Sequence, residues 1–138
     1  MSKYMLDTNA LIWLLNGSDR LQADMREDIE YFLHPYAYNR ISILEILHLQ
    51  QRGKIDFRYS AKQIFSALDS FCIGAHETTV CDFEALERIP ILKINGTEHA
   101  DMFDRMIIAS AIAGGYTLVS ADLKFPFYRQ FGLSLIEL

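Results

Sequence analysis

Apolar residues fall into short runs divided by polar turns, and their spacing predicts alternating strands and helices. Lys3 to Leu6 reads as a first strand ending at Asp7. Ala10 to Leu15 is continuously apolar and helical, closed by Asn16-Gly17; Arg20 to Phe32 forms a second, polar helix capped by Ser18 or Asp19. Tyr36 to Ile41 follows as a short strand. Ser42-Ile43-Leu44-Glu45 then has the form of a capping box, with apolar Ile43, Leu44, Ile46, Leu47 and Leu49 behind it and Gly53 as the stop. Ser60 caps a helix over Ala61 to Phe71, Phe71 to Gly74 carries a short strand, and Thr78 or Thr79 caps a helix through Arg88, ended by Pro90. The most apolar helix starts at Asp101 or Met102 and runs through Ala113 to a Gly114-Gly115 stop; apolar on nearly every side, it belongs in the interior. Tyr116 to Ser120 reads as a buried strand and Leu133 to Ile136 as the last.

Strands alternating with helices indicate an α/β domain with a mainly parallel sheet and helices on both faces. At 138 residues, without internal repeats or a Pro/Gly-rich linker, residues 1–138 are expected to form a single domain. The composition is globular, 51% hydrophobic and 22% charged. Cys72 and Cys81 fit no disulfide framework and are expected to be buried thiols in a reducing compartment. No apolar stretch approaches the ~20 residues of a membrane span, and the acid at position 7 comes too early for a secretory leader, so a cytoplasmic location is expected. Thirteen Lys and Arg against eighteen Asp and Glu leave a net charge of −5, which argues against nucleic-acid binding by bulk charge alone. It does not argue against an enzyme acting on nucleic acid.

The positions of the acids change the picture. In a parallel α/β sheet the carboxyl ends of the strands share one edge with the N-termini of the crossover helices, and ligands bind there. Asp7 follows the first strand, Glu45 and Asp104 lie in the first turns of two helices, and Asp122 follows the strand ending at Ser120. Two carboxylates about 5 Å apart repel by roughly 3 kcal/mol at an effective dielectric near 20. Four together call for protonation or a cation. Oxygen ligands favour Mg²⁺ or Mn²⁺, and the chemistry expected of such a site is metal-assisted phosphodiester hydrolysis. Singly, each acid also has a structural reading: Asp7 as a helix cap, Glu45 in the box with Ser42, Asp104 as a first-turn acid, Asp122 in a turn. The functional reading rests on the four together.

Leu6-Asp7-Thr8-Asn9-Ala10-Leu11-Ile12-Trp13 resembles the opening of PIN-domain ribonucleases. Ser42-x-x-Glu45 with Gly53-Lys54, the stretch His99 to Arg105 with Ile107-Ile108-Ala109 and Ala111, and Thr117 to Asp122 resemble their second, third and fourth segments. Among PIN domains the chain looks most like the VapC-type toxins of bacterial toxin–antitoxin pairs. The resemblance implies a PIN-like three-layer α/β/α sandwich and a small Mg²⁺-dependent endoribonuclease. It implies an acidic site of Asp7, Glu45, Asp104 and Asp122, an RNA substrate, a small antitoxin that covers the site, and a homodimer. Thr8, Asn9, Ser42 and Ser120 match polar positions that orient the acids or the phosphate. Met102 stands where the family often has proline, and Asp101 adds a fifth potential ligand.

Other signals point elsewhere or nowhere. Glu45-x-x-His48 has the spacing of a bundle di-iron pair but lacks its second copy. His34, His48, His76 and His99 show no zinc spacing, and His99, near Asp101, reads as a surface or capping residue rather than as a substrate contact, the other reading open to it. Arg52, Lys54, Arg58 and Lys62 read as a solvated basic face or as phosphate contacts. Arg105 is expected to pair with a neighbouring acid or a phosphate. Trp13, Phe65, Phe71 and Phe103 read as core or dimer-face residues, and no stacking platform stands out. No glycine-rich phosphate loop is present. A phosphotransfer domain fits poorly, because the positions its second acid would occupy are Thr8 and Asn9. The alternative from another class is a catalytically weak or inactive PIN-fold domain that binds a partner.

Overall fold

The structure, a computed structural model, describes residues 2–138. Strands β1 (Tyr4–Leu6), β2 (Tyr36–Tyr38), β3 (Gly74–Ala75), β6 (Thr117–Ser120) and β7 (Ser134–Glu137) make one sheet in the order β3-β2-β1-β6-β7, with every neighbouring pair parallel. Between them run α1 (Thr8–Asn16), α2 (Ala23–Glu30), α3 (Arg40–Gln51), α4 (Ala61–Ser70), α5 (Val80–Arg88), α6 (Met102–Gly114) and a 3₁₀ helix over Phe125–Phe131. A separate antiparallel hairpin pairs β4 (Leu92–Ile94) with β5 (Thr97–His99).

Side-chain alternation along the central strands builds the three layers. Leu6, Val119 and Ile136 point into one core, with Leu11 and Leu14 of α1, Ile43 and Ile46 of α3, and Ile64 and Leu68 of α4. Their neighbours Met5, Leu118 and Leu135 point into the other, against Ala85 of α5, Ile107, Ile108 and Ala111 of α6, and Phe125 and Tyr128 of the 3₁₀ helix. Both faces are thus covered, the condition under which short all-parallel strands persist. The expected α/β/α sandwich is what the chain adopts.

Several local expectations move. The second strand ends at Tyr38, because Asn39 caps α3 by accepting the Ile41 amide at 2.9 Å. Ser42 therefore lies inside the helix and buried, and the capping box proposed for Ser42 and Glu45 does not form. Helix α2 is shorter than predicted, beginning after Gln22 with no side-chain cap. The strand sought at Phe71 to Gly74 is the two-residue Gly74–Ala75. Both cysteines are exposed. Cys72 follows the end of α4 in the left-handed region, at φ 55°, and so cannot continue the helix inward. The caps of α4 (Ser60 with Gln63) and α5 (Thr79 with Asp82) form complete boxes. Gly115, at φ 69°, ends α6 in the conformation that residues with a Cβ resist.

Candidate active site

Register brings the first acid to the middle of the sheet. The Asp7 amide donates to the Val119 carbonyl at 3.1 Å, continuing the ladder between β1 and β6 one residue past Leu6. Its carboxylate caps α1, accepting the Ala10 amide on Oδ1 at 2.8 Å, and accepts the Ser120 hydroxyl on Oδ2 at 2.5 Å. Burial pushes this carboxyl up to about 6 from an ordinary 3.8; Ser120 and the Ala10 amide pull it down, and the charges of Asp104 and Asp122 raise it further.

Helix α6 supplies the second. Asp101 caps it, accepting the Phe103 and Asp104 amides on Oδ1 at 2.9 and 3.1 Å, so one oxygen of this fifth acid is committed to the helix. Asp104 sits one turn in and meets His99 Nε2 at 3.1 Å. Its carboxyl also rises to about 6, first through burial and then through the charges of Asp101, Asp122 and Glu45, with His99 opposing. From α3, Glu45 accepts the Thr8 hydroxyl at 2.6 Å, and Thr8 Oγ1 lies 3.1 Å from Ser42 Oγ. Burial raises the Glu45 carboxyl, Thr8 lowers it, and Asp101 raises it again. Asp122 lies just beyond β6, where Ser120 Oγ accepts its amide at 3.0 Å and its own Oδ1 accepts the Lys124 amide at 2.9 Å.

The acids therefore feel one another across four chain segments. Thr8, Ser42 and Ser120 hold or neighbour their carboxylates, and Asn9 lines an adjoining cleft with Asp122. Among the described residues no three His, Cys, Asp or Glu side chains are drawn tightly enough together to make a ready metal cage.

Arg105 has a structural partner as well. Its Nη2 donates to the Ile89 carbonyl at 2.6 Å, tying α6 to the end of α5, and among the described residues it forms no ion pair with an acid. His99 turns inward. It is 5% exposed, bridging Asp104 and the Tyr128 hydroxyl, which lies 2.6 Å from Nδ1. The signal for it was the Asn95-Gly96 turn between two short runs, a hairpin signature that puts His99 at the end of β5 and facing inward. Arg52, Lys54, Arg58 and Lys62 all face solvent.

This geometry can be set beside known proteins. The PIN domain family model matches residues 4–129. The chain belongs to the PIN domain family. In fold this PIN domain is similar to a chain of VapBC2 from Rickettsia felis, solved bound to a DNA fragment from its promoter, with 19% identity, 98% of each chain covered and a TM-score of 0.65. It is also similar to a chain of DNA-bound VapBC from Salmonella typhimurium, with 18% identity over 99% of this chain and 98% of that one, and a TM-score of 0.61. No curated protein matches the chain in sequence. Among the described residues no helix is long and apolar enough to cross a membrane.

Proposed function

We propose that this PIN domain is a metal-dependent endoribonuclease, the toxin of a toxin–antitoxin pair. The observation that carries the reading is the PIN family match over residues 4–129, in which Asp7 stands at the centre of the sheet and Asp104 in the first turn of α6. Asp7 is buried and Asp104 half-buried, and each carboxyl is pushed up to about 6, chiefly by burial and further by neighbouring acids. Folding has gathered negative charge that only protons or a cation can relieve. The donor set is carboxylate oxygen without thiolate, which suits Mg²⁺ or Mn²⁺.

Asp7, Glu45, Asp104 and Asp122 are the residues that would hold one or two such ions. When bound, an ion of this kind lowers the pKa of water and offsets charge on a phosphate. The chain's own contribution is orientation. Ser120 and the Ala10 amide fix both oxygens of Asp7, Thr8 fixes Glu45, and His99 fixes Asp104. Because these partners are themselves buried or half-buried, the carboxylates keep their aim when substrate arrives. The substrate in this reading is RNA.

The partner is a small antitoxin. Leu44, Met102 and Leu123 are 58, 78 and 83% exposed, and each is a chain neighbour or near neighbour of a site acid. An apolar rim around a charged centre suits a protein that covers it. The reading also takes in a homodimer, for which exposed Val80 and Phe83 on α5 offer apolar surface.

The test is single-residue. Asp104→Asn keeps the shape of the side chain and the fold, and is expected to lower Mg²⁺-dependent cleavage of RNA at least about a hundredfold. Wild-type levels of cleavage by purified Asp104→Asn protein, with contaminating nuclease excluded by a mock purification, would defeat the proposal.

A further inference from the structure

The chain's one tryptophan lies at the edge of a core, half-buried on the outer turn of α1. The turn that follows folds back over it. Gly17 takes φ 69°, the Ser18 amide donates to the Trp13 carbonyl at 2.9 Å, and Arg26 Nη2 grips the Trp13 and Ser18 carbonyls at 3.3 and 3.0 Å. The Arg20 amide donates to Ser18 Oγ at 3.2 Å, and its guanidinium carbon stands 5.4 Å from the indole centroid. Trp13, Arg20, Asn9, Ala121, Asp122 and Leu138 line a cleft of about 420 Å³. The cleft thus runs from an aromatic face and an exposed cation to one of the four site acids.

In a chain of net charge −5, a guanidinium held over an aromatic plane beside an acidic centre is a specific arrangement. A planar ring that carries a phosphate on each side matches it: the ring lies against the indole, one phosphate meets Arg20, and the other lies towards Asp122. The volume is in the range of small-ligand sites. We propose that this cleft is a nucleobase subsite, in which Trp13 stacks one unpaired base of a single-stranded RNA and Arg20 lifts towards its outer phosphate. The proposal rests on the nuclease reading for its substrate class and adds the place where the nucleotide next to the reacting phosphate sits. It also makes cleavage a property of unpaired RNA, since a base within a duplex cannot reach the indole.

The experiment uses the indole as its own probe. The full chain as Asp104→Asn, in Mg²⁺ buffer, is titrated with octauridylate, octaadenylate and an octameric ribose-phosphate strand that lacks bases. The two base-bearing strands are expected to quench Trp13 emission and to bind more tightly than the abasic strand. Anisotropy of labelled octaadenylate is expected to show Trp13→Ala weakening binding by about 5- to 150-fold. Trp13→Phe, which keeps a stacking face, restores most of the affinity. Arg20→Ala weakens all three strands alike, because a phosphate contact does not read the base.

Unchanged emission overturns the subsite, as does equal affinity for the abasic strand. Should Trp13→Ala fail to fold, the emission of the parent and the binding of Trp13→Phe decide the question. Cleavage of the same strands by the wild-type chain is scored separately. Cleavage without quenching keeps the nuclease reading and removes the subsite; quenching without cleavage does the reverse.

Discussion

Asp7 and Asp82 are built from the same parts. They are 4% and 1% exposed, each helps to cap a helix, and each accepts a serine hydroxyl, Ser120 at 2.5 Å and Ser110 at 2.6 Å. Each also accepts a backbone amide, from Ala10 and Thr79. They differ in the charge that stands next to them. Asp82 Oδ2 lies 2.7 Å from His76 Nε2, and the network runs on through Asn39, which donates to Ser110 at 2.8 Å, and through Tyr116, whose hydroxyl is 3.1 Å from His76 Nδ1. Asp7 has Asp104 and Asp122 instead. Burial raises both carboxyls, but the bonds from Ser110 and His76 bring Asp82 below its ordinary value, while Asp7 ends near 6. Depth alone therefore does not mark a working carboxylate. The sign of its neighbours separates the brace at Asp82 from the candidate site at Asp7.

The contrast can be broken at the brace. Asp82→Ala leaves His76, Ser110 and the Thr79 cap without their shared acceptor, and is expected to cost about 3–5 kcal/mol in urea unfolding. At the site the sign reverses. A divalent cation at about a hundred times its dissociation constant is expected to raise unfolding stability by about 2.7 kcal/mol at pH 7.5. The gain should vanish near pH 4.5, where Asp7 and Asp104 hold protons.

Smaller still is the effect of Asp7→Asn without metal. A carboxyl whose folded value is raised destabilises the fold only above its unfolded value. The penalty is absent below about 3.8, grows towards 6 and is complete above it. Removing the charge should therefore stabilise the protein by about 1–3 kcal/mol at pH 7.5 and by little at pH 4. Asp82, being depressed, runs the other way: its contribution is present above the ordinary Asp value and is lost as the pH falls through its lowered one. Urea titrations of the two variants across that range would show opposite slopes. The smallest change is remote from both carboxyls. Cys72→Gly relieves a left-handed backbone at φ 55° and should raise the melting temperature by about 3 °C, giving a scale for backbone effects alone.

Much of this molecule was legible in the chain. The continuous apolar run in α6 announced a buried helix, and Met106 to Ala111 are indeed all buried. Ser60, and Thr79 of the two threonines offered, cap the helices expected of them, because a side chain and an amide two or three residues on decide such a cap locally. The placing of Asp7 after β1, Glu45 in α3, Asp104 in the first turn of α6 and Asp122 after β6 followed from strand order and helix direction.

The misses lie where a local rule met a competitor. Asn39 captured the start of α3 from Ser42, since it follows a two-sided buried strand and can bond both the Ile41 amide and Ser110. The hairpin of β4 and β5 has only three residues a side, too few for alternation to stand out, although Asn95-Gly96 signalled it. The pairing of Asp82 with His76 drew no notice in the sequence because nothing in their spacing foretells Ser110 on α6. Long-range polar partners are set by packing, and packing is the part a single sequence states least directly.

The bond from Ser120 to Asp7 spans 113 positions, nearly the whole chain. A nascent polypeptide therefore carries its first acid out of the ribosome long before the strand that anchors it exists. Until β6 slots in beside β1, the central carboxylate has no serine to hold it and no Asp122 to oppose it. The central carboxylate therefore takes its final surroundings only after β6 has been made and has docked.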